Sequence, residues 1–455
     1  MGMILKLVYL FILLLLGISF NANAKCAFNC TNNLGSNEGP ANFINKIIKI
    51  KTPYIVAEPT LIDSLDVNND GIEDFVIGMM VEPYSQLGIE CCEVPPEMFS
   101  KLKKLPAYLI ISSENGYRVS IIPNSESYRT WSGKFFENLG TQYFYLGKNG
   151  ELGLPHTNTG EKSVLYKVIK KEREILFELI WEAKVPTVTS SVSTHKTHNG
   201  VYILENNYGD TDIVSIPSKY DTILYKFNNK STLDGIFLPG RLKKSAANNY
   251  IEIIDYNNDG KLDLIAASEV EKSYNGKEIF SKWPESYVVD DFLNNKNKIK
   301  LSPASYGNNH SGTAINIINN KNHSVIIEAS TEFLGHQGGG FKGAQISGYN
   351  IKNNFSKMEI NGNFNAKKGG THYIHDFIFK GKQMLTSGYY SRKPQKITLS
   401  DDGKIIISSI NINNYVKEEY VSILPLKMGD CNAFATIGLY QKSKTLNVKI
   451  SNCMK

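Results

Sequence analysis

The chain has 455 residues, 42% hydrophobic and 11% aromatic, enough to bury a large core. Its 50 basic and 44 acidic side chains nearly cancel, leaving +6. That balance argues against a nucleic-acid protein, and the short basic runs Lys101-Leu102-Lys103-Lys104 and Lys170-Lys171 read as solvated faces.

The N-terminus has its own logic. Lys6 precedes the apolar run Leu7–Leu16, and Ala22-Asn23-Ala24 follows as a small-x-small cleavage signal. Residues 1–24 therefore read as a secretory signal peptide, and the mature protein is expected in the periplasm or outside the cell. The apolar run is short for a membrane span and no second one follows, so none is expected. Lys25 stands before Cys26 where a lipoprotein signal wants a small residue, which argues against lipidation. Residues 25–42 form an N-terminal segment. The six cysteines fall as Cys26/Cys30, Cys91/Cys92 and Cys431/Cys453, without a CxxC pair, and fit structural disulfides. Cys431 and Cys453 flank a final hairpin of Ala435–Gln441 and Leu446–Ile450 and are expected to be bridged. By exclusion, Cys26 or Cys30 pairs with Cys91 or Cys92.

Further along, short β-rich runs dominate: Ala107–Ser112, Ser163–Ile169, Gly200–Leu204, Ile251–Ile254, Lys404–Ile410 and Leu446–Ile450. Gly, Asn, Asp and Ser clusters bound them, which suggests a sandwich, barrel or propeller. A short helix is expected only around Glu271–Leu293.

Two turns stand out. "DVNNDGIEDFVIG" begins at Asp66, and "DYNNDGKLDLIAA" begins at Asp255. Both place Asp, Asn, Asp and Asp at the same offsets, with a glycine after the second aspartate and an apolar run behind. Worn or aspartate-free copies follow from this alignment, with unit starts near residues 66, 136, 205, 255, 317, 376 and 428. Their mean spacing is about 60 residues, that of a decorated propeller blade. A second hairpin follows several of the turns, as in "YLIISSENGYRVSII" from Tyr108, giving about four strands per unit.

The motif D-x-N-x-D-G-x-x-D followed by an apolar strand resembles the FG-GAP (VCBS-type) repeat of integrin α-subunits and many secreted bacterial proteins. Two units match it closely. The resemblance implies an all-β fold, a β-propeller of four-stranded antiparallel blades over residues 43–455. Seven blades are expected, with six or eight left open.

The acidic turn suits calcium, a hard cation that takes six to eight oxygens. In the first turn the ligands are Asp66, Asn68, Asp70, the Ile72 carbonyl and Asp74, with Gly71 making the bend. In the second they are Asp255, Asn257, Asp259, the Lys261 carbonyl and Asp263, with Gly260. An EF-hand would need glutamate where Ile77 and Ala266 stand. The plainer alternative is an Asx-rich hairpin turn with no metal. Two structural Ca2+ ions are the expectation, and the units near 136 and 317 should bind none.

No HExxH, GxSxG or P-loop appears, and the glycine-rich "GHQGGGFKG" from Gly335 reads as a loop. Asp290-Asp291 and Asp401-Asp402, if in strands, would point to opposite faces. Trp131, His198, Tyr250, His310 and His372 recur near the starts of successive units. In a propeller such positions share one face, opposite the acidic turns, where they suit a glycan or protein ligand. Packing between blades is the alternative use of those side chains. The expected function is a non-catalytic binding or adhesion module. The alternative is a propeller-fold lyase or hydrolase acting on polysaccharide through the histidine-bearing face.

Overall fold

β-Branched and aromatic residues at alternate positions make half-buried strands, and Asn-Asp-Gly clusters between them make tight reversals. The computed structural model follows this pattern. It describes residues 42–89, 96–138, 140–149, 161–171, 174–182, 201–205, 211–215, 223–227, 233–237, 250–254, 256, 257, 259, 261, 263–267, 287–291, 299–300, 310–333, 341–362, 373–379, 382–388, 395–410, 421–439 and 443–454. The expected signal peptide and Cys26, Cys30, Cys91 and Cys92 lie outside those residues.

After β1 (Ile47–Lys51) come β2 (Val56–Leu65), β3 (Asp74–Val81), β4 (Tyr108–Ser113) and β5 (Gly116–Ile121), an antiparallel meander with the short helix α1 (Pro83–Leu87) between β3 and β4. The meander repeats as β6 (Arg129–Asn138), β7 (Thr141–Asn149), β8 (Val164–Lys171) and β9 (Glu174–Glu182). A single pair, Met80 with Arg129, joins β3 to β6 and links these two sets into one eight-stranded sheet. A third set, a sheet of its own, holds β10 (Val201–Glu205), β11 (Thr211–Ser215), β12 (Ile223–Phe227) and β13 (Leu233–Phe237). A fourth holds β14 (Tyr250–Ile254), β15 (Asp263–Ala267), β16 (Tyr287–Val289) and β17 (Ile299–Lys300). The next is β18 (His310–Asn319), β19 (Ser324–Phe333), β20 (Phe341–Asn350) and β21 (Ser356–Lys357). Then β22 (Ile360–Asn361) lies parallel on the edge of β23 (Tyr373–Phe379), β24 (Lys382–Gly388), β25 (Gln395–Leu399) and β26 (Ile405–Ser409). The last sheet is β27 (Val421–Met428), β28 (Cys431–Gly438) and β29 (Thr445–Ile450), with β1 as its fourth strand. The helix expected around Glu271–Leu293 is corrected in its described part. Residues 287–289 are strand, because Tyr287, Val288 and Val289 pair with β15.

The first strand of each set touches the first strand of the next. β2 meets β6, β6 meets β10, and so on through β14, β18, β23 and β27, which returns to β2. This is an all-β propeller. The alternation of β3 shows how neighbouring sheets are held. Phe75 and Ile77 pack with Leu424, Leu426, Leu446 and Val448 of the last sheet. Val76, between them, packs with Phe135, Phe144, Leu146 and Tyr166 of the second set. Period-two geometry sends the residues to opposite faces, so one strand seals two interfaces. All three are wholly buried, each burial contributing about 1.5–3 kcal/mol.

The predicted disulfide between Cys431 and Cys453 is present, with Cα atoms 5.4 Å apart and a sequence separation of 22. In the chain-entropy account it stabilises the last sheet by about 3 kcal/mol. Among the described residues no helix is long and apolar enough to cross a membrane.

Candidate functional site

The first acidic turn joins β2 to β3. Asp66 accepts hydrogen bonds from the Asp70 amide at 3.0 Å and the Gly71 amide at 2.7 Å. Asn68 Oδ1 accepts from the Asp70 amide at 3.1 Å, and Asp70 Oδ1 from the Ile72 amide at 2.9 Å. Asn69 and Gly71 take left-handed backbone, with φ of 59° and 86°, a region that asparagine tolerates and glycine adopts freely. Asp74, wholly buried at the start of β3, accepts from the Val67 amide at 2.9 Å and the Ser112 amide at 2.7 Å. The Ser112 hydroxyl sits between carboxylates, 2.6 Å from Asp70 Oδ2 and 3.1 Å from Asp74 Oδ1. Sequence reading missed Ser112, which comes from β4, 38 residues after Asp74. Nothing local in the sequence links them.

Ile72 bridges Met428 in a pairing whose hydrogen bonds use the Gly71 carbonyl and the Glu73 amide. Adjacent peptide groups in extended chain face opposite ways. The Ile72 amide and carbonyl therefore face into the turn, where the amide meets Asp70.

The second turn, between β14 and β15, repeats the pattern. Asn257 accepts from the Asp259 amide at 3.0 Å, and Asp259 from the Lys261 amide at 2.9 Å. Buried Asp263 accepts from the Tyr256 amide at 3.2 Å and the Asp291 amide at 2.8 Å. Asp255 and Gly260 lie outside the described residues. Asp290 and Asp291 follow β16 in a turn and not in a strand; both face this loop, Asp290 through the Tyr256 hydroxyl and Asp291 through Lys261, at 3.4 Å.

Burial pushes the Asp74 carboxyl up to about 7, against the lowering effect of its bonds to Ser112 and Val67. Burial likewise raises Asp263 to about 6. Asp66 is raised by burial and, less strongly, by the Asp70 charge. Among the described residues no three His, Cys, Asp or Glu side chains converge on one point. Any ion here would use amide, hydroxyl and main-chain oxygens as well.

At the opposite end of the first strands, Tyr250 opens β14, His310 opens β18, and Trp131 is the third residue of β6. His198 and His372 lie outside the described residues. Sequence reading missed Glu58 and Arg129, which meet at this end. Their side chains are 3.9 Å apart and buried, at 7% and 0% exposure. Glu58 has φ of 46°, in a stretch of β2 where the register with β3 shifts between Ala57 and Thr60. Its amide donates to Leu439 of the last sheet at 3.1 Å.

No family model and no curated protein matches the chain. Similar solved structures include an α-L-arabinanase from Penicillium chrysogenum complexed with arabinobiose, at 11% identity and TM-score 0.41, covering 71% of this chain and 93% of that one. Another is an α-L-arabinanase from Cellvibrio cellulosa, at 11% identity and TM-score 0.32, covering 78% and 95%. A third is a GH43 β-1,3-galactosidase with galactodeoxynojirimycin, at 12% identity and TM-score 0.35, covering 62% and 94%. Likeness at this level says nothing of activity. The expected membership of the FG-GAP, VCBS or integrin α-like family is corrected. No such family model matches, and these neighbours are glycosidases. The physical reason is that a nine-residue Asx-rich turn is a local way to reverse a hairpin, and two copies do not specify the sheets around them.

Proposed function

We propose that the chain is a seven-bladed propeller that acts on polysaccharide as a hydrolase at the end of the ring where the first strands begin. Seven blades are supported by the seven first strands that touch in a closed cycle. The observation that carries the activity is Glu58, a buried carboxylate in strained left-handed backbone beside Arg129. Such strain costs about 1–3 kcal/mol and concentrates at functional sites. It is held by the Leu439 contact and by the Thr60 hydroxyl, which donates to the Glu58 carbonyl at 3.0 Å. Glu58 and Arg129 start neighbouring first strands. Ser422, near the start of β27, accepts from the Leu61 amide of β2 at 3.1 Å. Trp131, Tyr250 and His310 lie near the starts of their first strands, and His198 and His372 recur at like positions in the sequence. Flat aromatic and imidazole groups at the same end as a carboxylate would suit a sugar ring, and glycoside hydrolysis uses positioned carboxyl groups.

The two acidic turns sit at the other ends of their first strands, and calcium is their proposed occupant. Asp66, Asn68, Asp70, the Ile72 carbonyl and Asp74 would hold one ion, with Ser112 beside them. Asp255, Asn257, Asp259, the Lys261 carbonyl and Asp263 would hold the other. The donors are all oxygen, and the inward Ile72 carbonyl supports the fit. The ion supplies positive charge to crowded carboxylates and no catalytic step.

Reducing-sugar release from arabinan, xylan and galactan tests the activity. Glu58→Gln should cut it at least 100-fold, and His310→Ala about tenfold. Cleavage of none of them by intact protein that binds one would make this a binding module. Calorimetry should find two calcium ions per chain; none at millimolar calcium would remove that part.

A further inference from the structure

We propose that the outer face of the last sheet binds an acidic polysaccharide along a stripe of four lysines, Lys49, Lys51, Lys444 and Lys449. That the polyanion is a polysaccharide rests on the hydrolase reading above. β1 is the outermost strand of that sheet, and β29 lies beside it. Ile48 and Ile50 of β1 are buried in one core with Leu446, Val448 and Ile450 of β29. The pleat therefore turns Ile47, Lys49 and Lys51 to the opposite face, together with Asn447 and Lys449. The register sets Ile47 opposite Lys449, Lys49 opposite Asn447 and Lys51 opposite Thr445. Lys49 is thus diagonal to Lys449, and about 7 Å along the strand from Lys51. Lys444 stands at the end of the stripe. Its carbonyl accepts from the Thr52 amide at 2.9 Å, and its ammonium lies 5.9 Å from the centre of the Tyr54 ring. Lys49, Lys51 and Lys444 are exposed, and Lys449 is half-buried.

Among the described residues none of the four makes an ion pair. Like charges so placed repel, and a polyanion laid across them would cancel that repulsion. Lysine on an outermost strand also deters edge pairing. Lys449 belongs to the strand inside β1, however, and Lys444 to the residues just before that strand, so the charge covers a face and not only an edge. Two other outer strands differ. β5 carries Arg118 as its one cation, and β9 carries Glu174, Glu178 and Glu182. The stripe is five residues long and two strands wide, about 17 Å by 10 Å. That shape fits one extended polymer and not a broad surface. From Lys51 the chain crosses the seam between the last sheet and the first, through Tyr54, to Val56 and Glu58 of β2. The stripe therefore ends on the side of the ring where Glu58 and Arg129 lie.

Calorimetry on the full, oxidised chain with sodium polygalacturonate at low salt tests this. Binding should weaken as salt is added. Changing Lys49, Lys51, Lys444 and Lys449 together to Gln should weaken it at least tenfold, with a melting temperature unchanged or raised because the lost charges repel one another. The matched variant, with the exposed Lys321, Lys352, Lys357 and Lys382 changed to Gln, removes the same charge elsewhere and should bind as the parent does. Equal weakening in both variants would reduce the effect to net charge and overturn the stripe. No binding at low salt would overturn it too, and binding to phosphatidylglycerol vesicles in place of polygalacturonate would make the partner a lipid surface and the proposal wrong. Stripe-dependent binding without cleavage of any polysaccharide would leave the stripe standing and remove the hydrolase reading. Cleavage of arabinan, xylan or galactan without polygalacturonate binding would do the reverse.

Discussion

The two acidic turns share a nine-residue pattern and nearly the same internal hydrogen bonds, yet their surroundings differ. The first lies between two neighbouring sheets and bonds to both. The second accepts, through Asp263, from the Asp291 amide just after its own third strand. Local chemistry sets the shape of each turn. What the shape holds together depends on residues far away in sequence, such as Ser112, Gln142 and Lys427. Equal motifs should therefore contribute unequally to stability.

The sharpest break of this comparison is at the closing aspartates. Asp74→Ala strips hydrogen-bond partners from the buried Val67 and Ser112 amides. Orphaned buried donors cost about 1–3 kcal/mol each, so a loss of about 3–4 kcal/mol is expected. Asp263→Ala exposes two amides at a part-buried site, and about 2 kcal/mol is expected there. Urea unfolding of both variants gives the answer. Equal losses would mean that the surroundings of the turn do not matter.

A smaller effect follows from proton linkage in calcium-free protein. Asp74 and Asp263 have raised folded-state values, about 7 and about 6, so the folded chain binds protons more readily than the unfolded one. Their contribution is fully present below about pH 4 and is lost as pH rises through those values. Unfolding free energy should fall between pH 4 and 7 by an amount on the order of 1–2 kcal/mol once interior water is allowed for, and the melting temperature should fall with it. Asp74→Asn should flatten the upper part of that slope, and Asp263→Asn the lower. Calcium favours the ionised carboxylates, so millimolar calcium should abolish the decline. A slope unchanged by either substitution would place its origin elsewhere.

Much of the fold was legible because it is written in local terms. The run from Ala107 to Ser112 and that from Leu446 to Ile450 became β4 and β29 almost residue for residue. The Cys431–Cys453 bridge was readable because both cysteines flank one hairpin. The site was less legible where it is built across sheets. Ser112 reads in sequence as an ordinary strand serine. Glu58 precedes Pro59 in an apolar run and gives no sign of left-handed backbone or of Arg129, 71 residues later. The FG-GAP resemblance failed for the complementary reason: a short turn was made to stand for a whole family.

The smallest expected effect lies in the bends themselves. Gly71 has φ of 86°, and an added Cβ would meet nothing within 4 Å. Gly71→Ala should therefore cost only the backbone penalty, about 1 kcal/mol. Gly429, on the facing side of the seam, has φ of 60° and equally open space, so Gly429→Ala should cost a similar amount. Asn69, with φ of 59°, already tolerates this region, and Asn69→Gly should change stability by a few tenths of a kcal/mol. The informative quantity is the double variant Gly71→Ala with Gly429→Ala. Their peptides are directly bonded, so if the seam moves as a unit the two costs should not add. The interaction would reach about 0.5 kcal/mol or more in a double-mutant cycle. Strict additivity would mean that each bend relaxes alone and that 71–73 and 427–429 are not coupled.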